Sequence, residues 1–118
     1  MELVCFQGLD KENWPQLNAL IKHGDWEKIF IVKNQQADNF QSSEKCEIIE
    51  VNSFLSLLEL KKEILEKLKP RISKNFEVAL SIVSGTGKEH MALISALLSI
   101  PVGIRLVAYT KQGIEFIS

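Results

Sequence analysis

Ser84-Gly85-Thr86-Gly87-Lys88 sets two hydroxyls, two glycines and a lysine side by side. Such a segment has the chemistry of a phosphate cradle. Where it turns the chain from a strand into a helix, its backbone N–H groups and those of the first helical turn point outward. The helix dipole adds positive potential, and Lys88 adds a full charge. The hydroxyls of Ser84 and Thr86 can donate to phosphate oxygens. The same tetrapeptide, Ser84 to Gly87, also suits a tight strand-to-helix turn with no ligand. His90, in the first helical turn, can contact a phosphate or carry a proton near neutral pH, or stand as a partly exposed helix residue. Met91 reads as core. Tyr109 can stack on a base, or sit on an edge strand with its hydroxyl in water. Asp10 and Glu12 place negative charge beside the proposed anion site, and Asp10 suits a loop cap or a contact to a ribose hydroxyl.

The named phosphate motifs are absent. A Walker A loop needs Gly-x4-Gly-Lys-Ser/Thr, but Glu89 follows Gly87-Lys88 and Ile82 stands five residues before Gly87. A dinucleotide fingerprint would put glycine at 90, where His stands, and belongs after the first strand. Cys5 and Cys46 form no Cys-x-x-Cys pair, and with two histidines in the chain a zinc site is not expected. Both cysteines read as reduced and structural. No cofactor is expected.

Short apolar runs alternate with amphipathic ones. Glu2 to Phe6 reads as an opening strand, followed by a polar loop from Gln7 to Asn13. Pro15 suits the first turn of a helix, Leu17, Leu20 and Ile21 give it an apolar stripe, and Gly24 ends it. Trp14 and Trp26 flank that helix and read as packing. Lys28 to Val32 is a second strand, apolar enough to be covered on both faces. Lys33 to Lys45 is polar and reads as the most mobile segment. Glu47 to Val51 is a third strand. Ser53 is placed to cap the next helix, with Phe54, Leu57, Leu58, Ile64, Leu65 and Leu68 as its buried face and Pro70 as its stop. Val78 to Val83 is a fourth strand, and a helix follows from Lys88 to about Leu98. Thr86 with Glu89 forms a capping box that fixes its start. This helix is apolar nearly all round, so it is expected between the sheet and another surface, such as a second subunit. Ile104 to Tyr109 and Gly113 to Ile117 are two strands joined by a hairpin.

This alternation calls for an α/β fold: a Rossmann-like three-layer sandwich around a mainly parallel six-stranded sheet of order 3-2-1-4-5-6, closed by a C-terminal antiparallel hairpin. In such a sheet the ligand crevice lies beyond the carboxyl ends of the strands where the winding reverses, between strands 1 and 4. The loops meeting there are Gln7 to Asn13 and Ser84 to His90, and three of the six glycines (Gly8, Gly85, Gly87) fall in them. Glycine lets a ligand approach the backbone. Lys33 and Asn34, after strand 2, and Lys111, at the hairpin tip, can lie on the same rim.

The 118 residues, 46% hydrophobic and 25% charged, fit one globular domain, 1–118, with no effector domain. A net charge of -1 argues against nonspecific duplex binding. No apolar run approaches the roughly 20 residues that span a bilayer, and the N-terminus lacks a signal-peptide pattern, so a cytoplasmic chain is expected.

Over Val83-Ser84-Gly85-Thr86-Gly87-Lys88-Glu89-His90-Met91-Ala92-Leu93 the sequence resembles the CRISPR-associated Rossmann-fold (CARF) sensor domains, which carry such a turn after strand 4 and a short glycine-containing loop after strand 1. The likeness extends to strand order and length. It implies a homodimer that binds a cyclic oligoadenylate, or a related nucleotide, across its two-fold axis in antiviral defence. Ser84, Gly85, Thr86, Gly87 and Lys88 would then form one ligand loop, and Gly8, Leu9, Asp10 and Lys11, with Gln7 before them, the other. His90 stands beside the second loop. Some members of the family only sense the ring, and others cut it. Ring opening needs no metal, because a 2′-hydroxyl can attack its own phosphate; Lys88 would stabilise the developing charge and Ser84 position the phosphate. A contrasting expectation is a structural or regulatory module of a larger transcription regulator, dimerising through the third helix without a small molecule. A hydrolase or methyltransferase fragment ranks last, since Lys33 stands where an acidic residue would end strand 2.

Overall fold

Apolar residues occupy both alternating faces of strands β1 (Glu2–Gln7), β2 (Ile29–Asn34) and β4 (Glu77–Ser81), the pattern of a sheet covered on both sides. The computed structural model describes residues 1–39, 44–72 and 76–118. With β3 (Cys46–Val51), β5 (Gly103–Thr110) and β6 (Gly113–Phe116) these strands form one sheet of order β3-β2-β1-β4-β5-β6. All neighbours pair in parallel except β5 and β6, whose antiparallel register runs from Val107↔Phe116 to Thr110↔Gly113. The fold is therefore the Rossmann-like α/β arrangement that the alternation of elements predicts. Among the described residues, no helix is long and apolar enough to cross a membrane.

The two faces are divided by residue parity. Val4, Phe6, Phe30, Val32, Val78 and Leu80 point to the face covered by α2 (Leu57–Ile72) and α3 (Gly87–Leu98), which also pack on each other. Leu3, Cys5, Ile29, Ile31, Ala79 and Val107 point to the opposite face, where α1 (Trp14–His23) contributes Leu17 and Leu20. Trp26 completes that layer and donates its indole N–H to the Leu20 carbonyl. Cys5 and Cys46 form no disulfide, and burial drives the Cys5 pKa far above its ordinary range.

The second strand runs two residues further than its apolar stretch suggests, through Lys33 and Asn34, and both polar side chains are buried. Lys33 does not reach the outer rim. Its ammonium pairs with Glu50 at 3.1 Å and donates to the Ala37 carbonyl at 2.5 Å. Of the stretch from Lys33 to Lys45, residues 40–43 lie outside the described residues. β4 ends at Ser81, two residues before the expected Val83.

The start of α2 also departs from expectation. Ser53 does not cap it, because its hydroxyl donates to Glu89 instead, and Ser56 accepts the Glu59 N–H at 3.4 Å. With the helix beginning at Leu57, its inner stripe is Leu60, Ile64, Leu68 and Ile72. Phe54 and Leu58, expected inside, are 71% and 75% exposed. Pro70 does not stop the helix, which carries on to Ile72; a proline so near a C-terminus sacrifices only one late backbone bond. Met91, read as core, is 61% exposed on the outer side of α3. Tyr109 lies on an inner strand, because β6 forms the edge.

Candidate functional site

The crevice between β1 and β4 brings the two glycine loops into contact. A Cβ built on Gly8 would stand 2.6 Å from the Gly85 Cα and 2.9 Å from its nitrogen, so the backbones touch where only glycine fits. Gly85 takes a φ of 111°, a conformation that side chains oppose. The packing of two loops 77 residues apart in sequence is set by the parallel β1·β4 register, which carries both segments out of the same carboxyl end of the sheet.

Side chains then lock the loops together. The Ser84 hydroxyl accepts the Gly8 N–H at 2.9 Å and donates to Asp10 Oδ1 at 2.7 Å. The Gly85 N–H donates to the same Oδ1 at 3.0 Å, and Asn13 Nδ2 donates to Asp10 Oδ2 at 2.7 Å. Trp14 supports the loop from below by donating its indole N–H to the Gly8 carbonyl at 3.0 Å. Partial burial pushes the Asp10 pKa upward, but the bonds from Asn13, Ser84 and Gly85 outweigh it and hold the carboxyl below its usual range. Asp10 therefore caps the turn, one of its two expected roles.

The helix that follows starts as the capping box requires. Thr86 Oγ1 accepts the Glu89 N–H at 3.2 Å, and Glu89 Oε1 accepts the Thr86 N–H at 2.8 Å. Glu89 is buried, and its second oxygen accepts from Asn34 Nδ2 at 3.1 Å and from the Ser53 hydroxyl at 2.5 Å. This carboxylate ties the ends of β2, β3 and β4 into one rim. The Ser84 carbonyl bonds His90 Nε2 at 2.7 Å, which places the ring proton on Nε2. The His90 ring lies against Gly85, so it supports the turn from behind.

The expected residues thus sort into two groups. Gly8, Asp10, Ser84, Gly85, Glu89 and His90 form the interlocked base of the crevice. Leu9, Lys11, Thr86, Gly87 and Lys88 are its exposed rim. The expectation that the Ser84 hydroxyl and Lys88 ammonium both face a phosphate is revised by their partners. Ser84 is buried against Asp10, and Lys88 Nζ donates to the Ser53 and Leu55 carbonyls at 2.6 and 2.9 Å. Lys11 pairs with Asp38 at 3.5 Å and lies over the Trp14 ring. Gln7 is buried, donates from Nε2 to the Asp38 carbonyl at 2.5 Å, and has in Oε1 the one buried side-chain polar atom without a partner among the described residues. Lys111 is exposed at the hairpin tip.

Sequence reasoning placed Asn34 on the rim and Ser53 at a helix cap but joined neither to Glu89, a partner remote in sequence, and it gave Asn13 no role of its own. The Asn13 amide, three residues after Asp10, carried a local signal for an Asx-type contact. Among the described residues no group of His, Cys, Asp or Glu is arranged to hold a metal ion. No protein-family model and no curated protein matches the chain.

Proposed function

We propose that this chain is a nucleotide-binding sensor domain, similar to the CARF proteins, that takes a cyclic oligoadenylate across a homodimer in the cytoplasm. One observation carries the reading: two glycine loops, Gln7 to Lys11 and Ser84 to Lys88, pack together at the winding reversal of a 3-2-1-4-5-6 sheet, where this topology binds its ligands. Around the closed base, the rim leaves the backbone of Gly87 exposed, and Lys11 and Lys88 set positive charge beside it while their ammonium groups bond Asp38 and the Ser53 and Leu55 carbonyls. The reading is of a binder and not of a ring-opening enzyme, because the Ser84 hydroxyl is committed to Asp10 and Lys88 to two carbonyls. Calorimetric titration with cyclic tetra-adenylate and cyclic hexa-adenylate tests it. Binding to one of them, weakened at least tenfold in Lys88→Ala and without linear product, is expected; no binding of either ring ends the proposal.

A second reading, a regulatory module that dimerises without a small molecule, draws on a different observation. Met91 and Leu98, seven residues apart on α3, are 61% and 72% exposed, and this spacing places them on one side of the helix. Light scattering separates the two: a dimer disrupted by Met91→Glu, with no nucleotide-induced rise in melting temperature, favours the module.

A further inference from the structure

On the α1 face, between that helix and the carboxyl ends of β4 and β5, lies a cavity of about 260 Å³. Parity explains why it exists. Val107 and Tyr109 of β5 belong with Val83 to the α1 side of the sheet, while α1 sends Gln16 and Leu20 to meet them and Ile117 lies at the exposed margin. We propose that this cavity is a binding site for a neutral, planar heteroaromatic ring of the size of a purine base. The identity of the ring as a nucleobase rests on the nucleotide reading above; the existence of the site does not.

Four properties favour that occupant. Among the described residues no charged one lines the cavity, so a phosphate or carboxylate placed inside would lose its hydration without compensation. The volume lies below the roughly 300–1,000 Å³ of pockets that enclose whole drug-sized ligands, which suits one ring system and not a long acyl chain. Tyr109 supplies an aromatic wall already oriented by stacking on His23, with ring centres 5.3 Å apart and planes 18° apart, so little side-chain freedom is lost when a second ring packs there. Polar groups sit among the aliphatic walls: the Ser81 hydroxyl, and the carboxamide of Gln16, whose Nε2 is held by the Tyr109 carbonyl at 3.0 Å. Such groups can read the ring nitrogens or an exocyclic amine. Location adds the rest. Val83 in the cavity wall is followed directly by Ser84, so a base in the cavity would carry its sugar and phosphate toward the glycine loops.

Adenosine, which has no phosphate, tests the cavity without the loops. Titrated into the labelled protein and followed by amide NMR, it should shift Ser81, Val83, Ala108 and Tyr109 saturably. Ile117→Trp enlarges an exposed side chain at the margin and should weaken these shifts at least tenfold, as should Tyr109→Ala, with the remaining spectrum still that of the folded protein. Adenosine shifts that are absent, or unchanged in both variants, overturn the proposal. Cyclic tetra-adenylate that binds while moving only residues 7–11 and 84–88 also overturns it and leaves the nucleotide reading standing. Adenosine in the cavity with no cyclic oligoadenylate bound keeps the site and removes the sensor function.

Discussion

The Asp10 carboxylate accepts the Gly85 N–H at 3.0 Å across 75 residues of sequence, and the same oxygen takes the Ser84 hydroxyl at 2.7 Å. A protein carboxylate thus occupies the turn amide that an external anion would otherwise meet. Hydrogen bonds to a charged acceptor each contribute about 1.5–3 kcal/mol; these two join the loop after β1 to the turn after β4, and the bond from Asn13 holds the carboxylate within its own loop.

Asp10→Asn should therefore lower stability at neutral pH by about 1–3 kcal/mol. The pH dependence has a definite sign. Because the folded-state pKa lies below the ordinary value of 3.8, the stabilisation is complete above that value and is lost as pH falls through the folded pKa. Urea midpoints of the two proteins should converge below about pH 4. A difference that stays constant down to acid would show that the charge of Asp10 contributes nothing to the clasp.

Gly8 and Gly87 make opposite demands. At Gly8 an added methyl meets the Gly85 backbone at 2.6 Å and Asp10 Oδ1 at 2.7 Å, so Gly8→Ala must push the two loops apart. A loss of about 1–3 kcal/mol is expected, as for other overpacked sites. At Gly87 nothing lies within 4 Å of the new methyl, the φ is not positive, and the residue opens α3. Gly87→Ala should leave stability unchanged or raise it by up to about 1 kcal/mol, from the higher helix propensity of alanine. Chemical denaturation of both variants checks the pair, and equal costs would contradict the close packing of the loops.

Much of this arrangement is legible in the residues themselves. The strand order follows from apolar runs separated by helix-length segments and from a hairpin too short for a crossover, and Thr86 with Glu89 announces the start of α3 in four letters. The polar base of the crevice is not legible in the same way. Asn34 to Glu89 and Asp10 to Ser84 are contacts between chain segments that share no local pattern, and only the finished sheet brings them together. Lys33 shows the same limit. A lysine after an apolar run reads as exposed, yet the register Lys33↔Glu50 supplies a partner on the next strand.

Glu89 is the second carboxylate of the crevice and the more deeply buried one. Its oxygens accept from the Thr86 N–H, Asn34 Nδ2 and the Ser53 hydroxyl. Glu89→Gln replaces one acceptor oxygen with an NH2 that faces these donors, and should cost about 1–3 kcal/mol. Glu89→Ala leaves all three donors without their acceptor and should cost more. Amide hydrogen exchange offers a local check, because protection of the Thr86 N–H should fall in both variants before protection in β1 changes. Retained Thr86 protection would mean that the capping box does not fasten this end of α3.

The face of α2 gives the last test. Leu60, Ile64, Leu68 and Ile72 recur every four residues and are buried, whereas Leu58 is 75% exposed on the same helix. Two leucine-like residues six positions apart, both expected inside from periodicity alone, should therefore respond very differently. Ile64→Ala removes buried methyl groups and leaves a void beneath the helix, at a cost of about 2–5 kcal/mol. Leu58→Ala should change stability by less than about 0.5 kcal/mol, as is usual for surface positions. Denaturation midpoints for the two variants decide the matter, and a comparable loss at Leu58 would mean that something covers this end of α2 in solution.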